Sequence, residues 1–170
     1  MSSPPGARSL PSFLTPRLRV RPLLEGDAPA LFAIYGDEQV MRHSSDPVFS
    51  HPGMVLEMLA SVGRLLAEGT SFEWGIEMRQ GGTLVGTCGL HSFDEHQAAA
   101  EIGALLARSA WGQGVMTEAL GPVIDHARQT LEVRVLRADI DAENVRSLAL
   151  FRRLGFHSVG GTWHERPLVS

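Results

Sequence analysis

The segment SAWGQGVMTEAL, residues 109–120, places two glycines on either side of one glutamine, directly before residues that can form a helix. Glycine lets the backbone approach an anion closely and turn its N–H groups toward it. The first turn of a helix leaves four N–H groups unpaired and carries about half a positive charge. A strand that ends at Leu106, this loop and a helix from about Met116 therefore predict a phosphate or pyrophosphate site, although a plain helix-initiating turn has the same pattern.

The same segment excludes two well-known phosphate-binding motifs. It is not a P-loop, because no Gly-Lys-Ser/Thr follows the glycines. It is also a poor match to the dinucleotide-binding fingerprint, since the third glycine is missing and the loop follows a late strand instead of the first. The phosphate would therefore be held by backbone groups and helix charge, without a lysine or arginine.

A single carboxylate interrupts the apolar run AAAEIGALL, which ends at Leu106. Glu101 is therefore a candidate general base or substrate anchor, which, if buried, could pass a proton through water. The alternative is that it points to the rim of the sheet or pairs with an arginine. His91, in the segment GLHSF of the preceding strand, is a second candidate base, although a lone histidine on a strand is more often structural.

Seven histidines raise the question of a metal site. None lies in a His-Glu-x-x-His frame, and the segment HSFDEH has no cysteine or second cluster of ligands nearby. The sequence therefore predicts no metal site, neither structural nor catalytic.

Hydrophobic periodicity predicts the elements that position these residues. Helical spacing predicts helices over 27–36, 51–69, 116–131 and 144–155. Alternation and apolar runs predict strands over 17–23, 71–78, 83–93, 98–107 and 133–141, with short strands in 157–160 and 162–169. The order is an α/β layout with one helix-connected crossover, residues 98–141, around the glycine loop.

Length and composition limit the class of protein. A chain of 170 residues suits one domain with a sizeable core, and 44% apolar and 20% charged residues are ordinary for a globular protein. The net charge of −4 argues against a nucleic-acid partner, and no apolar run is long enough to span a membrane. The single cysteine, Cys88, excludes an intramolecular disulfide and favours a reducing compartment, the cytoplasm. Residues 1–14 lack the apolar core of a secretory signal, and their Ser, Pro and Gly content predicts a flexible tail before a single domain over 15–170.

Two segments, EIGALLARSAWGQGVMTEAL and, one strand later, NVRSLALFRRLGF, resemble the GNAT superfamily of acyl-CoA-dependent N-acyltransferases. The loop WGQGVM is similar to the superfamily's acyl-CoA pyrophosphate loop, with Trp111 in the first place and Met116 in the last. Together with TEAL and the opening TPRLRVRPLLEGDAPALF, these residues resemble the ribosomal-protein N-terminal-alanine acetyltransferases. The resemblance covers about Thr15 to Phe156, and its motifs occur in the family's order and spacing.

The resemblance implies a GNAT-like α/β fold: a central, mostly antiparallel sheet with flanking helices and a V-shaped splay between two parallel strands. It implies acetyl-CoA as the co-substrate, with the pantetheine arm in the V beside Leu106. Backbone N–H groups of residues 113–116 would hold the pyrophosphate, together with the Thr117 hydroxyl. The full set of expected cofactor-binding residues is Leu106, Trp111, Gly112, Gln113, Gly114, Val115, Met116, Thr117, Asn144 and Phe151.

In addition to the candidate base Glu101, the resemblance implies catalytic roles for two residues of the last helix, Asn144 and Ser147. Asn144 matches the family asparagine that contacts the pantetheine, and it could cap the helix as well. Ser147, one turn later, could donate a hydrogen bond to the leaving sulfur, or only bond back to a helix carbonyl. Many members carry a tyrosine as the acid seven residues after the asparagine, where this chain has Phe151; its only tyrosine is Tyr35.

The implied reaction is acetyl transfer to a primary amine by direct attack in a ternary complex. The amine must be neutral to attack, and an α-amino group with a pKa of about 7.8 is roughly one tenth neutral at pH 7, whereas a lysine is below about one part in a thousand. A protein or peptide N-terminus is therefore the expected acceptor. A small amine such as an amino acid, a polyamine or an amino sugar is the alternative, and a non-catalytic CoA-binding protein is a third.

The C-terminal segment departs from the family pattern. The family normally continues through a longer hairpin whose last strand walls the acceptor site, whereas only HSVGGTWHERPLVS follows Phe156. We expect the last strand either to be short or to come from a partner chain, which makes a homodimer a hypothesis.

Overall fold

One sheet of eight strands forms the frame of the computed structural model, which describes residues 9–168. The strands, in chain order, are β1 Phe13–Leu14, β2 Leu18–Pro22, β3 Phe72–Met78, β4 Leu84–His91, β5 Ala99–Leu106, β6 Val135–Asp139, β7 His157–Gly160 and β8 Trp163–Pro167. The helices are α1 Ala28–Tyr35, α2 Glu38–Met41, α3 Gly53–Glu68, α4 Val115–Gln129 and α5 Val145–Arg153, with short 3₁₀ turns at Glu25–Asp27 and Arg108–Ala110. Residues 1–8 of the expected N-terminal tail, and residues 169–170, lie outside the described residues.

The strands lie in the order β1-β2-β3-β4-β5-β6-β8-β7, and every neighbouring pair is antiparallel except β5 and β6. These two strands, joined by α4, pair only where residues 99–101 meet residues 135–137. Beyond that point they diverge, so residues 102–106 have no strand partner on the β6 side within the described chain. The arrangement confirms the mostly antiparallel sheet with flanking helices and a splay between two parallel strands.

Apolar side chains on one face of the sheet pack against α4 and α5. The buried set includes Trp74, Ile76, Leu90 and Leu136 of the sheet with Leu120, Val123 and Phe151 of the helices. The apolar residues of α4 recur at helical spacing, which turns one stripe of the helix toward the sheet. A second apolar cluster joins α1, α2 and α3 to Leu84 of β4. Full burial of such side chains contributes roughly 1.5–3 kcal/mol each, so the two clusters hold the splayed strands in place.

The elements lie close to the stretches that periodicity predicts, with two additions, strand β1 and helix α2. Helix α2 is only four residues long, too short to show a helical period, and it begins where the Asp37 carboxylate accepts a hydrogen bond from the Gln39 N–H (2.9 Å). Asp37 also pairs with Arg108 (2.6 Å), which ties α2 to the loop after β5. Within residues 9–168, no helix is both long and apolar enough to cross a membrane.

Both ends of the described chain pack on the sheet. Strand β1 lies ahead of the expected domain start at Thr15, and the Trp74 indole N–H donates to the Pro11 carbonyl (2.9 Å). At the other end, β8 pairs with the whole of β6, antiparallel. The short last strand thus comes from this chain, and β7 lies outside it at the border of the sheet.

Candidate functional site

The glycine loop joins β5 to α4 through two residues in the left-handed backbone region. Gly112 and Gly114 both have a φ of 73°, a conformation that costs other residues about 1–2 kcal/mol. Gly114 is the N-cap residue of α4, and no side chain of the described protein caps this helix. The N–H groups of the first turn, from Val115 onward, are therefore available to an anion.

Three contacts fix the shape of this loop. The indole N–H of Trp111 donates to the Leu106 carbonyl at the end of β5 (2.8 Å). The Arg17 guanidinium donates to the Gln113 carbonyl (2.9 Å). The guanidinium carbon of Arg146 lies 3.3 Å from the centroid of the Trp111 ring, in a cation–π contact. The loop is thus held by β5, by α5 and by the segment before β2.

A cavity of about 390 Å³ opens beside this loop, and we name it the loop cavity. Nine of the ten expected cofactor-binding residues line it: Leu106, Trp111, Gly112, Gly114, Val115, Met116, Thr117, Asn144 and Phe151. The exception is Gln113, whose backbone N–H is the expected contact and whose side-chain amide donates to the Ser109 carbonyl (2.9 Å). Arg146 and Arg153 of α5 also line the cavity and bring positive charge to it, which suits phosphate groups.

A second cavity, of about 660 Å³, lies over β3, β4 and β5, and we name it the sheet-face cavity. Asn144, Ser147 and Phe151 line both cavities, and so does Leu105 of β5. The two cavities therefore adjoin where β5 and β6 diverge, so that ligands bound in each of them would meet.

Glu101 lines the sheet-face cavity, but it is not the fully buried carboxylate that its apolar neighbours suggest. Its side chain is 29% exposed, because this face of β5 opens on the cavity. Its Oε2 lies 3.5 Å from Nδ1 of His91, which stands directly opposite on β4. His91 is more exposed, at 41%, and its Nδ1 also contacts the Ser92 hydroxyl (2.9 Å). The two candidate bases therefore form one pair. The partner of Glu101 is a histidine and not the arginine that the sequence pattern allowed as the alternative.

Tyr35, Thr87 and Glu73 line the same cavity without having been predicted. The Tyr35 hydroxyl lies 2.8 Å from the Thr87 hydroxyl, both groups are buried, and burial raises the pKa of Tyr35. Burial, together with the nearby charge of Asp46, raises the pKa of Glu73 to about 8. Within the described part of the chain, no three His, Cys, Asp or Glu side chains come together as metal ligands.

Asn144 is the N-cap residue of α5, as its position predicts. Its Oδ1 accepts a hydrogen bond from the Ser147 N–H (3.3 Å), which fixes both residues at the junction of the two cavities. Phe151, two turns later, is buried and packs edge-on against Phe156, with 5.0 Å between the ring centroids. The position of the family tyrosine therefore presents an aromatic ring without a hydroxyl.

We expect Asn144→Ala to lower the free energy of unfolding by about 1 kcal/mol, because the Ser147 N–H loses its acceptor. Urea denaturation measures the change. Asn144→Asp is the matched control, since it keeps an oxygen at the same place and should retain most of the stability. An equal loss in both variants would contradict the capping role.

Comparison with known proteins identifies the family. A model of the acetyltransferase (GNAT) domain matches residues 17–157, most of the chain. The chain belongs to the GNAT acetyltransferase family. An uncharacterized N-acetyltransferase, p20, of Bacillus licheniformis is 28% identical over 149 residues, which cover 88% of this chain and 84% of the relative. The resemblance of the loop and last-helix motifs to GNAT enzymes is confirmed, and the protein is an acetyl-CoA-dependent N-acetyltransferase.

Solved structures of GNAT enzymes share this fold. The ribosomal-protein-S5-alanine acetyltransferase of Vibrio fischeri matches with a TM-score of 0.75 at 20% identity, covering 92% of this chain and 96% of that one. The spermidine N-acetyltransferase of Vibrio cholerae, solved with CoA and spermine, matches with a TM-score of 0.79 at 15% identity, covering 90% and 96%. These likenesses establish the GNAT fold, and the two enzymes act on different kinds of acceptor.

Proposed function

We propose that this GNAT enzyme acetylates the N-terminal amine of a protein or peptide, held in the sheet-face cavity. The observation that carries the proposal is the junction of the two cavities at Asn144, Ser147 and Phe151. Acetyl-CoA bound along the loop cavity would present its thioester at that junction, where an amine in the sheet-face cavity can reach it.

The loop cavity suits acetyl-CoA group by group. The unpaired edge of β5, which ends at Leu106, offers backbone groups to the amides of the pantetheine arm. Residues 114–117 line the cavity, so the N–H groups of residues 114–116 and the Thr117 hydroxyl would hold the pyrophosphate, with the N–H of Gln113 next to them in the loop. Arg146 and Arg153 would neutralise further phosphate charge. Trp111, Gly112, Asn144 and Phe151 also line the cavity.

The pair of Glu101 and His91 would accept the proton of the acceptor amine, and the exposed histidine would pass it to solvent. The neutral nitrogen would attack the thioester carbonyl and form a C–N bond. The C–S bond then breaks, and the proton that the nitrogen loses on acylation passes to the departing CoA thiolate, which leaves as the thiol. Ser147 lines both cavities and would donate a hydrogen bond to the departing sulfur. This role falls to Ser147 because Phe151 offers no hydroxyl.

An N-terminal amine is favoured because its pKa of about 7.8 makes deprotonation easier than for a lysine. The likeness to the Vibrio fischeri enzyme, named for a ribosomal-protein alanine, supports this choice.

One observation favours a small cationic amine as the second candidate acceptor. The sheet-face cavity is lined by five carboxylates: Asp46, Glu73, Glu101, Asp139 and Asp141.

The test is acetyl transfer from acetyl-CoA to a panel of short peptides and small amines, read by mass spectrometry. We expect a peptide with a free N-terminus to gain one acetyl group there, and the same peptide with a blocked N-terminus to gain none. If the enzyme acetylates small amines and no peptide, the acceptor is a small amine and not a protein or peptide N-terminus. The absence of product with every primary amine would contradict the proposed function.

We further propose the cytoplasm as the location, since the single cysteine, Cys88, is a buried free thiol.

We also propose a homodimer through the exposed outer strand β7. Light scattering at micromolar concentration distinguishes the dimer from a single chain of 18.4 kDa.

A further inference from the structure

A row of three residues crosses β3, β4 and β5 on the face that borders the sheet-face cavity. Glu73 stands opposite Gly89, and Gly89 stands opposite Gly103. Residues in such a row point to the same face of a sheet, so the two glycines leave a trough without side chains between β3 and the splay. All three residues line the sheet-face cavity.

The Glu73 carboxylate lies inside this trough. A Cβ atom at position 89 would collide with Glu73 Oε2, and it would also meet the Phe72 carbonyl at 2.8 Å. A Cβ at Gly103 would meet only His91 Nε2, at 3.7 Å. Because neighbouring strands are about 4.8 Å apart, a carboxylate above β4 is about one strand spacing from the open edge of β5. Gly89 thus lets Glu73 reach toward the place where the thioester would lie.

Glu73 has no hydrogen bond or ion pair within the part of the chain that the structure describes. Three other carboxylates of the cavity have partners: Glu101 with His91, Asp139 with Thr162 and Asp141 with His43. Burial raises the pKa of Glu73 to about 8, and the only other influence is the like charge of Asp46. A partly buried carboxylate in these surroundings is stabilised when a cation binds to it, and the described protein does not supply one.

We propose that Glu73 selects the acceptor by binding its second cationic group, so that preferred acceptors carry the reacting amine and another positive charge. The inference rests on the proposed function, because it places the acceptor in the sheet-face cavity. The second charge lies within about 5–10 Å of the reacting nitrogen, one to two strand spacings. A diamine meets this requirement, and so does a peptide N-terminus followed by a lysine.

Matched acceptors test this role. Wild-type enzyme and Glu73→Gln are assayed with acetyl-CoA and two pairs of amines. One pair is diaminopentane and aminopentane; the other is a peptide beginning Ala-Lys and the same peptide with norleucine in place of lysine. In the pair that the enzyme acetylates, we expect wild type to favour the doubly charged member by roughly 10- to 100-fold in kcat/KM, the usual range for a hydrogen bond to a charged group.

In Glu73→Gln we expect this preference to disappear, while the singly charged acceptors keep their wild-type kcat/KM. Glu57→Gln removes an exposed carboxylate on α3, outside both cavities, and is the matched control that should keep the preference. Calorimetric titration with acetyl-CoA tests whether the Glu73→Gln variant is folded. A preference that survives Glu73→Gln, or equal rates for both members with wild type, would overturn the inference and leave acetyl transfer intact. No acetylation of any primary amine would overturn the proposed function and this inference together.

Discussion

A Gly114→Pro variant should bind acetyl-CoA at least about 100-fold more weakly than the wild-type enzyme. Proline fixes φ near −65°, whereas Gly114 has a φ of 73°, so the variant cannot keep the left-handed residue that begins α4. The N–H groups of the first turn would then lose their places around the pyrophosphate. Calorimetric titration with acetyl-CoA measures the dissociation constant directly, and it needs no acceptor.

Gly81→Pro is the matched control for this variant. Gly81 has a φ of 88° and lies in the turn between β3 and β4, away from both cavities, where an added Cβ atom would meet no other heavy atom within 4 Å. We expect it to suffer a similar local strain and to bind acetyl-CoA normally, with circular dichroism and thermal unfolding reporting on both folds. Wild-type affinity in a folded Gly114→Pro would show that the loop is only a helix-initiating turn.

The second large effect concerns proton transfer. We expect Glu101→Gln to lower kcat by about 100- to 10,000-fold and to leave acetyl-CoA binding unchanged, because an amide cannot accept the proton of the amine. Glutamine has nearly the same size and shape as glutamate, so the packing of β5 is preserved. Steady-state kinetics with an acceptor from the panel gives kcat, and calorimetry gives the affinity for acetyl-CoA.

Two further variants separate the role of the Glu101–His91 pair from that of Ser147. His91→Gln removes the partner that lies 3.5 Å from Glu101 but keeps the carboxylate, so we expect a smaller loss of kcat than in Glu101→Gln. Ser147→Ala removes the proposed hydrogen bond to the departing sulfur and leaves the base in place. Unchanged kcat in both Glu101→Gln and Ser147→Ala would remove both residues from the catalytic assignment.

The glycine loop and its flanking elements could be predicted because their signals are local. The two glycines of the loop, the apolar stripe of α4 and the Asn144 cap are each read from a few neighbouring residues. The parallel pairing of β5 and β6 also followed, since strands joined by a crossover helix in one sheet run the same way.

The sheet-face cavity could not be predicted, because strands and helices far apart in sequence assemble it. Glu73 occupies a polar position of the alternating segment FEWGIEM, a pattern typical of a side chain that faces solvent. Only the folded chain shows that Tyr35 and Asp46 line the same cavity. For Glu101 the sequence pattern errs in the opposite direction. Its apolar neighbours indicate a buried side chain, whereas its face of β5 is open to the cavity. Both outcomes depend on which elements cover a strand, and that information is not local.

The divergence of β5 and β6 leaves unpaired backbone in the middle of a sheet instead of at its border. Unpaired strands at a border invite another polypeptide to add a strand, which is a route to aggregation. Residues 102–106 lie between β4 and the diverging β6, and β6 is itself paired with β8, so their unpaired groups lie inside the sheet. A slender ligand that carries amides would find unpaired backbone groups in this gap. The fold therefore provides hydrogen-bonding backbone for a narrow ligand without adding another open strand to the border of the sheet.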